Sequence, residues 1–103
     1  MKMNEHERIA ARNIEGAFEW IIGGYYNYIQ DGCEELIPDS AEEIKEELYC
    51  SALHNMHKPG YLGSGKAPKE MRFAGEKFCR EYIEKLWAED GDVKEIAEVK
   101  GWE

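Results

Sequence analysis

The sequence predicts an all-α fold, and three observations predict it. Apolar residues recur at spacings of three and four through three long stretches, and capping pairs, glycines and prolines punctuate the chain between them. No run alternates polar and apolar residues for long enough to make a strand. Three main helices are expected, over about 4–30, 40–57 and 68–89, with a short C-terminal helix over about 93–100. At 103 residues the chain is read as one domain, 1–103, near the size at which a single core suffices without disulfides or metals.

The first helix organises the rest. Ala10, Ile14, Ala17, Ile21, Tyr25 and Tyr28 fall on one face, and Phe18, Ile22 and Ile29 widen it. Asn4 and Glu7 are placed to form a capping box, and Gly32 to end the helix. Two interior glycines, Gly23 and Gly24, cost roughly 1 kcal/mol each relative to alanine. A close crossing by another helix is the expected reason for them. The aromatic residues around them, Trp20, Tyr25, Tyr26 and Tyr28, occupy more of the circumference than one partner helix can cover. Part of that set is expected to form an interaction surface or a homodimer seam.

Ile37-Pro38-Asp39-Ser40 breaks the chain, and Asp39 with Glu42 or Ser40 with Glu43 caps the second helix, whose apolar row is Ile44, Leu48, Ala52 and Met56. Lys58-Pro59-Gly60 stops it, and glycine-rich chain follows to Ala67. Pro68 opens the third helix, with Met71, Gly75, Phe78, Tyr82 and Leu86 in a row. Asp90-Gly91 ends it. Asp92 with Glu95 is expected to cap the last helix, Gly101 to close it, and Trp102 to fold back on the core.

Several motifs invite chemistry. Gly60 to Lys66 has the GxxxxGK spacing of a phosphate-binding loop, but Ala67 stands where a magnesium-binding hydroxyl is needed and no buried strand precedes it. A linker is the reading adopted. Cys50, His54 and His57 share a helical face, with Glu46 one turn earlier, and thiolate and imidazole are ligands for zinc and its neighbours. One helix rarely supplies a whole coordination shell, so a half-buried cysteine beside two surface histidines is preferred and no metal or other cofactor is expected. The serines lack an evident base, and no Cys/His pair besides Cys50 and His54 suggests a nucleophile. An enzyme is therefore not expected.

Charge is the most unusual property. The chain carries 22 acidic and 13 basic residues, a net of −9. Eight of the acids lie between positions 31 and 47, among them Glu34, Glu35, Asp39, Glu42, Glu43, Glu46 and Glu47, against Lys45 alone. Spacings of three and four put the last five of these along one side of the second helix, opposite Ile44 and Leu48. Such a surface repels a nucleic-acid backbone and attracts basic proteins. Held rigidly, it imitates a row of phosphates. Three cysteines without paired spacing, no apolar leader and no apolar run of membrane-spanning length predict a soluble cytoplasmic protein.

Glu7-Arg8-Ile9-Ala10-Ala11-Arg12-Asn13, leading into Glu19-Trp20-Ile21-Ile22-Gly23-Gly24-Tyr25, resembles the opening of small acidic proteins of bacterial mobile elements. The resemblance covers about twenty residues and implies no catalytic residue. It implies an accessory function of phages or conjugative elements, such as the inhibition of host-defence nucleases by anti-CRISPR proteins. The expected function is thus non-enzymatic binding of a basic protein partner, sharpest as nucleic-acid mimicry, through Glu34, Glu35, Asp39, Glu42, Glu43, Glu46 and Glu47 or through Trp20, Tyr25 and Tyr26. The alternatives are a helical domain that dimerises through its aromatic face and a metal-binding helical protein.

Overall fold

Helix formation begins at Asn4. Its side chain accepts the Glu7 amide at 2.8 Å while the Glu7 carboxylate accepts the Asn4 amide at 3.0 Å, so two amides that a helix start leaves unpaired are satisfied together. In the computed structural model, which describes residues 2–57 and 69–102, this cap opens α1, Glu5–Gln30. At about 1.5 Å per residue its 26 residues span the full 39 Å of the molecule's longest dimension. Ala10, Ala11, Ile14, Ala17, Phe18, Ile21 and Ile22 are buried on one side of it. Asp31 ends the helix, and Gly32 turns away at φ +75°, a left-handed conformation that glycine enters without steric cost.

A 3-10 turn, Glu34–Leu36, then delivers Ile37 to the core. Ser40 caps α2, Ala41–His54, by accepting the Glu43 amide at 3.3 Å, and α2 buries Ile44, Leu48 and Ala52. The expected extension of this helix to His57 does not form. Asn55 adopts the left-handed conformation at φ 55°, which asparagine tolerates better than most residues. Met56, expected to continue the apolar row, is therefore 60% exposed, while His57 is turned inward and buried.

The third helix, expected to run unbroken over about 68–89, is divided at Gly75 into α3, Lys69–Ala74, and α4, Glu76–Glu89. Gly75 stands at φ +92°. Its amide still donates to the Met71 carbonyl, and its own carbonyl still accepts the Cys79 amide, so the chain changes direction without stranding backbone groups. Met71 on α3 and Cys79 and Ile83 on α4 enter the core. Asp90, not Asp92, caps α5, Gly91–Lys100, by accepting the Val93 amide at 3.0 Å. Gly101 closes α5 in a left-handed turn, and Trp102 folds back to stack on Trp87 and donate its indole N–H to the Asp39 carbonyl at 2.8 Å.

The architecture is all-α: three main helical segments and a short C-terminal helix, with no strand among the described residues. Every other helix packs on α1, and α4 also packs on α2 and α3. The molecule is 17 Å thin in its shortest dimension, the depth of two packed helix layers. No described helix is long and apolar enough to cross a membrane.

Among the described residues, the expected close crossing at Gly23-Gly24 is not found. A Cβ added at either position would meet no described atom within 4 Å. The closely approached glycine is Gly16, where a Cβ would lie 3.1 Å from the His57 Nε2 atom.

These differences predict opposite outcomes for alanine at two helix-flanked glycines. Gly75→Ala forces a side chain into positive φ and should lower stability by about 1–3 kcal/mol, whereas Gly23→Ala should raise it by up to about 1 kcal/mol. Ile14→Ala, at a fully buried core position, should cost about 2–5 kcal/mol. Denaturant unfolding of the three variants measures all of these. A neutral Gly75→Ala would show that the helix is continuous there.

Candidate functional site

The sequence points to two surfaces, and the fold treats their residues differently. Glu42, Glu43, Glu46 and Glu47 are all exposed along α2, as are Glu34, Glu35 and Asp39 before it. The carboxylates therefore form one acidic edge. It is braced from within: Glu46, Asp39 and Glu47 are tied to cations or a phenol on other parts of the chain, and Glu42 to Lys45 one turn along α2.

Arg80 of α4 is the main brace. Its guanidinium grips Glu46 through two nitrogens, at 2.7 and 3.3 Å, and donates from Nε to Glu76 at 2.7 Å. The same group lies over the Tyr49 ring, 4.2 Å from its centroid. A planar fork that satisfies two carboxylates while stacking on an aromatic face loses little freedom for each hydrogen bond it makes. The bonded guanidinium holds the Glu46 carboxyl below the usual carboxylate range. Lys45 pairs with Glu84 at 3.0 Å and Glu42 at 3.6 Å, and Lys100 reaches Asp39 at 3.5 Å and the Ile37 carbonyl at 3.1 Å. Glu47 accepts the Tyr25 hydroxyl.

The aromatic set divides. Tyr25 ties α1 to α2 through Glu47, and its phenol is pushed well up, by burial first and then by its carboxylate partner. Tyr26 faces the other way, where the charge of Glu95 on α5 raises it. Tyr25 thus acts as a strut between α1 and α2. Trp20 does not: it is 58% exposed on the outer side of α1, next to the open positions Gly23 and Gly24, and Tyr28 is 39% exposed further along. Trp20 borders a broad depression together with Ile9, Arg12, Tyr26 and Asn27. Of the four aromatic residues expected to form a surface, Trp20 and Tyr28 are exposed, whereas Tyr25 and Tyr26 are partly covered.

The candidate metal row is dispersed. Cys50 remains on the exposed side of α2, within 3.9 Å of Glu46, whereas the turn at Asn55 carries His57 to the opposite side, against Gly16, with its Nδ1 3.3 Å from the Ser51 carbonyl. Among the described residues no three His, Cys, Asp or Glu side chains are grouped to hold a metal ion. Burial and then the Glu46 charge raise the Cys50 thiol, and burial raises Cys79. Both shifts disfavour the thiolate that a cysteine nucleophile requires. The Gly60 to Lys66 motif lies outside the described residues.

Arg80, Lys45 and Lys100 pair with carboxylates of the acidic edge, a role the sequence reading gave to none of them. The Glu76–Arg80 and Glu42–Lys45 pairs, four and three residues apart on their own helices, are readable locally. Glu46 and Arg80 are 34 positions apart, and no periodicity pairs them. No family model, curated protein or solved structure matches this chain.

The tyrosine struts predict how stability responds to alkali. Tyr82 donates to Glu15, and burial followed by that bond pushes its phenol from 10.0 up to about 12. A group whose folded pKa lies above its unfolded value stabilises fully below the unfolded value and loses that effect as pH rises through the folded one. Stability should therefore fall between pH 10.0 and about 12, with Tyr25 acting in the same direction. Denaturant midpoints of the Tyr25→Phe, Tyr82→Phe double variant should decline less across this window. Equal declines would show that these phenols are not coupled to folding.

Proposed function

We propose that this protein works by binding rather than by catalysis, and that its partner is a protein with a basic surface. The observation that carries the reading is the acidic edge: seven exposed carboxylates on one continuous stretch of chain, with Glu46 fixed by Arg80, Glu42 by Lys45 and Asp39 by Lys100. A carboxylate already held in place loses less freedom when a cation docks on it. Glu34, Glu35 and Glu43 supply exposed charge beside these braced groups.

In its sharpest form the reading is nucleic-acid mimicry by an inhibitor of mobile-element type, which occupies the groove in which its target holds phosphates. A net charge of −9 supports fast, steered association with such a groove. The same charge opposes pairing of two copies. Homodimerisation through α1 is the second reading, and the 58% exposure of Trp20 is what favours it.

Charge reversal distinguishes these surfaces. Glu34→Lys, Glu35→Lys and Glu43→Lys together avoid the braced carboxylates, so the fold should change by only a few tenths of a kcal/mol per site. Basic proteins captured from a bacterial lysate by the immobilised wild type should be displaced by added salt, since exposed charges are screened over ~8 Å at physiological ionic strength, and by duplex DNA. The triple variant should not capture them. Capture that ignores salt, DNA and charge reversal but disappears in Trp20→Ala would overturn the acidic-edge reading. Self-association lost in that same variant would establish the dimer.

A further inference from the structure

A second acidic feature lies away from α2, where the turn between α4 and α5 abuts α1. Phe18 and Ile22 of α1 and Leu86 of α4 form the apolar floor of a cleft of about 320 Å³. Its rim is entirely acidic among the described charged residues: Glu15, Glu19, Glu89, Asp90 and Asp92. Two of these have work inside the fold, Glu15 as acceptor for Tyr82 and Asp90 as the cap of α5. Glu19, Glu89 and Asp92 are exposed. Lys85 lies nearby over the face of Tyr82, 5.5 Å from the ring centroid, and does not line the cleft.

Gly23 borders this cleft as well as the depression beside Trp20, and a Cβ there would point into space free of described atoms. A glycine inside a helix gives up stability that alanine would restore. No described helix crossing explains this one. Its missing side chain keeps the wall of the cleft low.

Apolar floor and carboxylate rim together match one kind of side chain: an aliphatic stem that ends in a cation. We propose that the cleft receives an arginine or lysine side chain presented by a basic segment of a partner protein, its stem on Leu86 and the edge of Phe18 and its head among Glu19, Glu89 and Asp92. Long cationic side chains commonly bury their stems while keeping the charge at a polar edge, and arginine anchors are frequent among the residues that dominate protein interfaces. The proposal rests on the reading that the partner is basic, and it adds a socket to the acidic edge. A second copy of this chain is disfavoured as occupant by its net charge of −9.

The test uses the full chain, isotope-labelled, and acetyl-tetra-arginine amide as probe at low salt. Amide shifts are expected to concentrate at Phe18 to Gly23, Leu86 and Glu89 to Asp92. Affinity should fall by about tenfold or more, the loss of one anchoring interaction, in Gly23→Leu, which fills the cleft, and in Glu19→Gln with Asp92→Asn, which discharges its rim without adding bulk. Thermal unfolding of each variant checks that the fold persists. Shifts centred on Glu42 to Glu47 and unaffected by these variants would overturn the cleft while leaving the basic-partner reading intact. An absence of shifts throughout would overturn both. Spermine producing the same cleft shifts with equal affinity would make this a polyamine site and overturn the protein segment as its occupant.

Discussion

The whole arrangement depends on one constraint: a helix as long as the molecule must bury its apolar face from end to end. No single helix here can cover it, since α2 and α4 have 14 residues each against 26 in α1. The face is covered in pieces, by α2, α3, α4 and α5, and every break in the chain serves to bring the next piece back onto α1. The turns at Asn55, which sets His57 against Gly16, and at Gly75, which lets α3 and α4 both pack on α1, are two such breaks. Each exchanges local helix continuity for apolar burial, which is worth about 25 cal/mol per Å² removed from water.

A net charge of −9 on 103 residues works against this compaction. The fold places cations where long-range contacts between helices must be secured. Arg80 joins α4 to α2, Lys45 joins α2 to α4, and Lys100 joins α5 to the segment before α2. Each of these pairs has a substantially exposed carboxylate, and exposed pairs usually contribute less than about 1 kcal/mol. Their larger effect is geometric. They fix the acidic groups of the α2 edge in place and lower the repulsion among them, so rigidity and residual negative charge coexist on one surface.

Much of this was legible in the sequence, for a definite reason. Periodicity reports which residues face a core, and Ile14, Ile21, Ile44, Leu48 and Met71 are all buried. Capping is equally local, and the box at Asn4 and Glu7 formed as the spacing required. What periodicity cannot report is a change of direction that keeps the same residues inside. Met71 and Phe78 pack into the core whether or not the chain bends between them, so a row of apolar residues ran across Gly75 without betraying the bend. The dispersal of Cys50, His54 and His57 has the same origin, in the single left-handed residue Asn55. The candidate surfaces were legible as charge and as aromatic content. Their division into residues engaged by other helices and residues left exposed was not, because that depends on what the fold brings near Tyr25 and Trp20.

Glycine is where sequence reading is weakest, because one residue type answers three physical demands. Gly75 meets a conformational demand, since its φ of +92° excludes most side chains even though a Cβ would meet no described atom. At Gly16 the demand is steric: the backbone is ordinary helix, but the His57 imidazole occupies the space a Cβ would enter. Gly23 meets neither among the described residues, having helical backbone and no described atom within 4 Å of an added Cβ. In a helix whose burial organises the entire fold, a residue that weakens the helix without easing any packing has its reason outside the core. Gly23 borders two concave surfaces, one beside Trp20 and one beside the carboxylates of the α4–α5 turn.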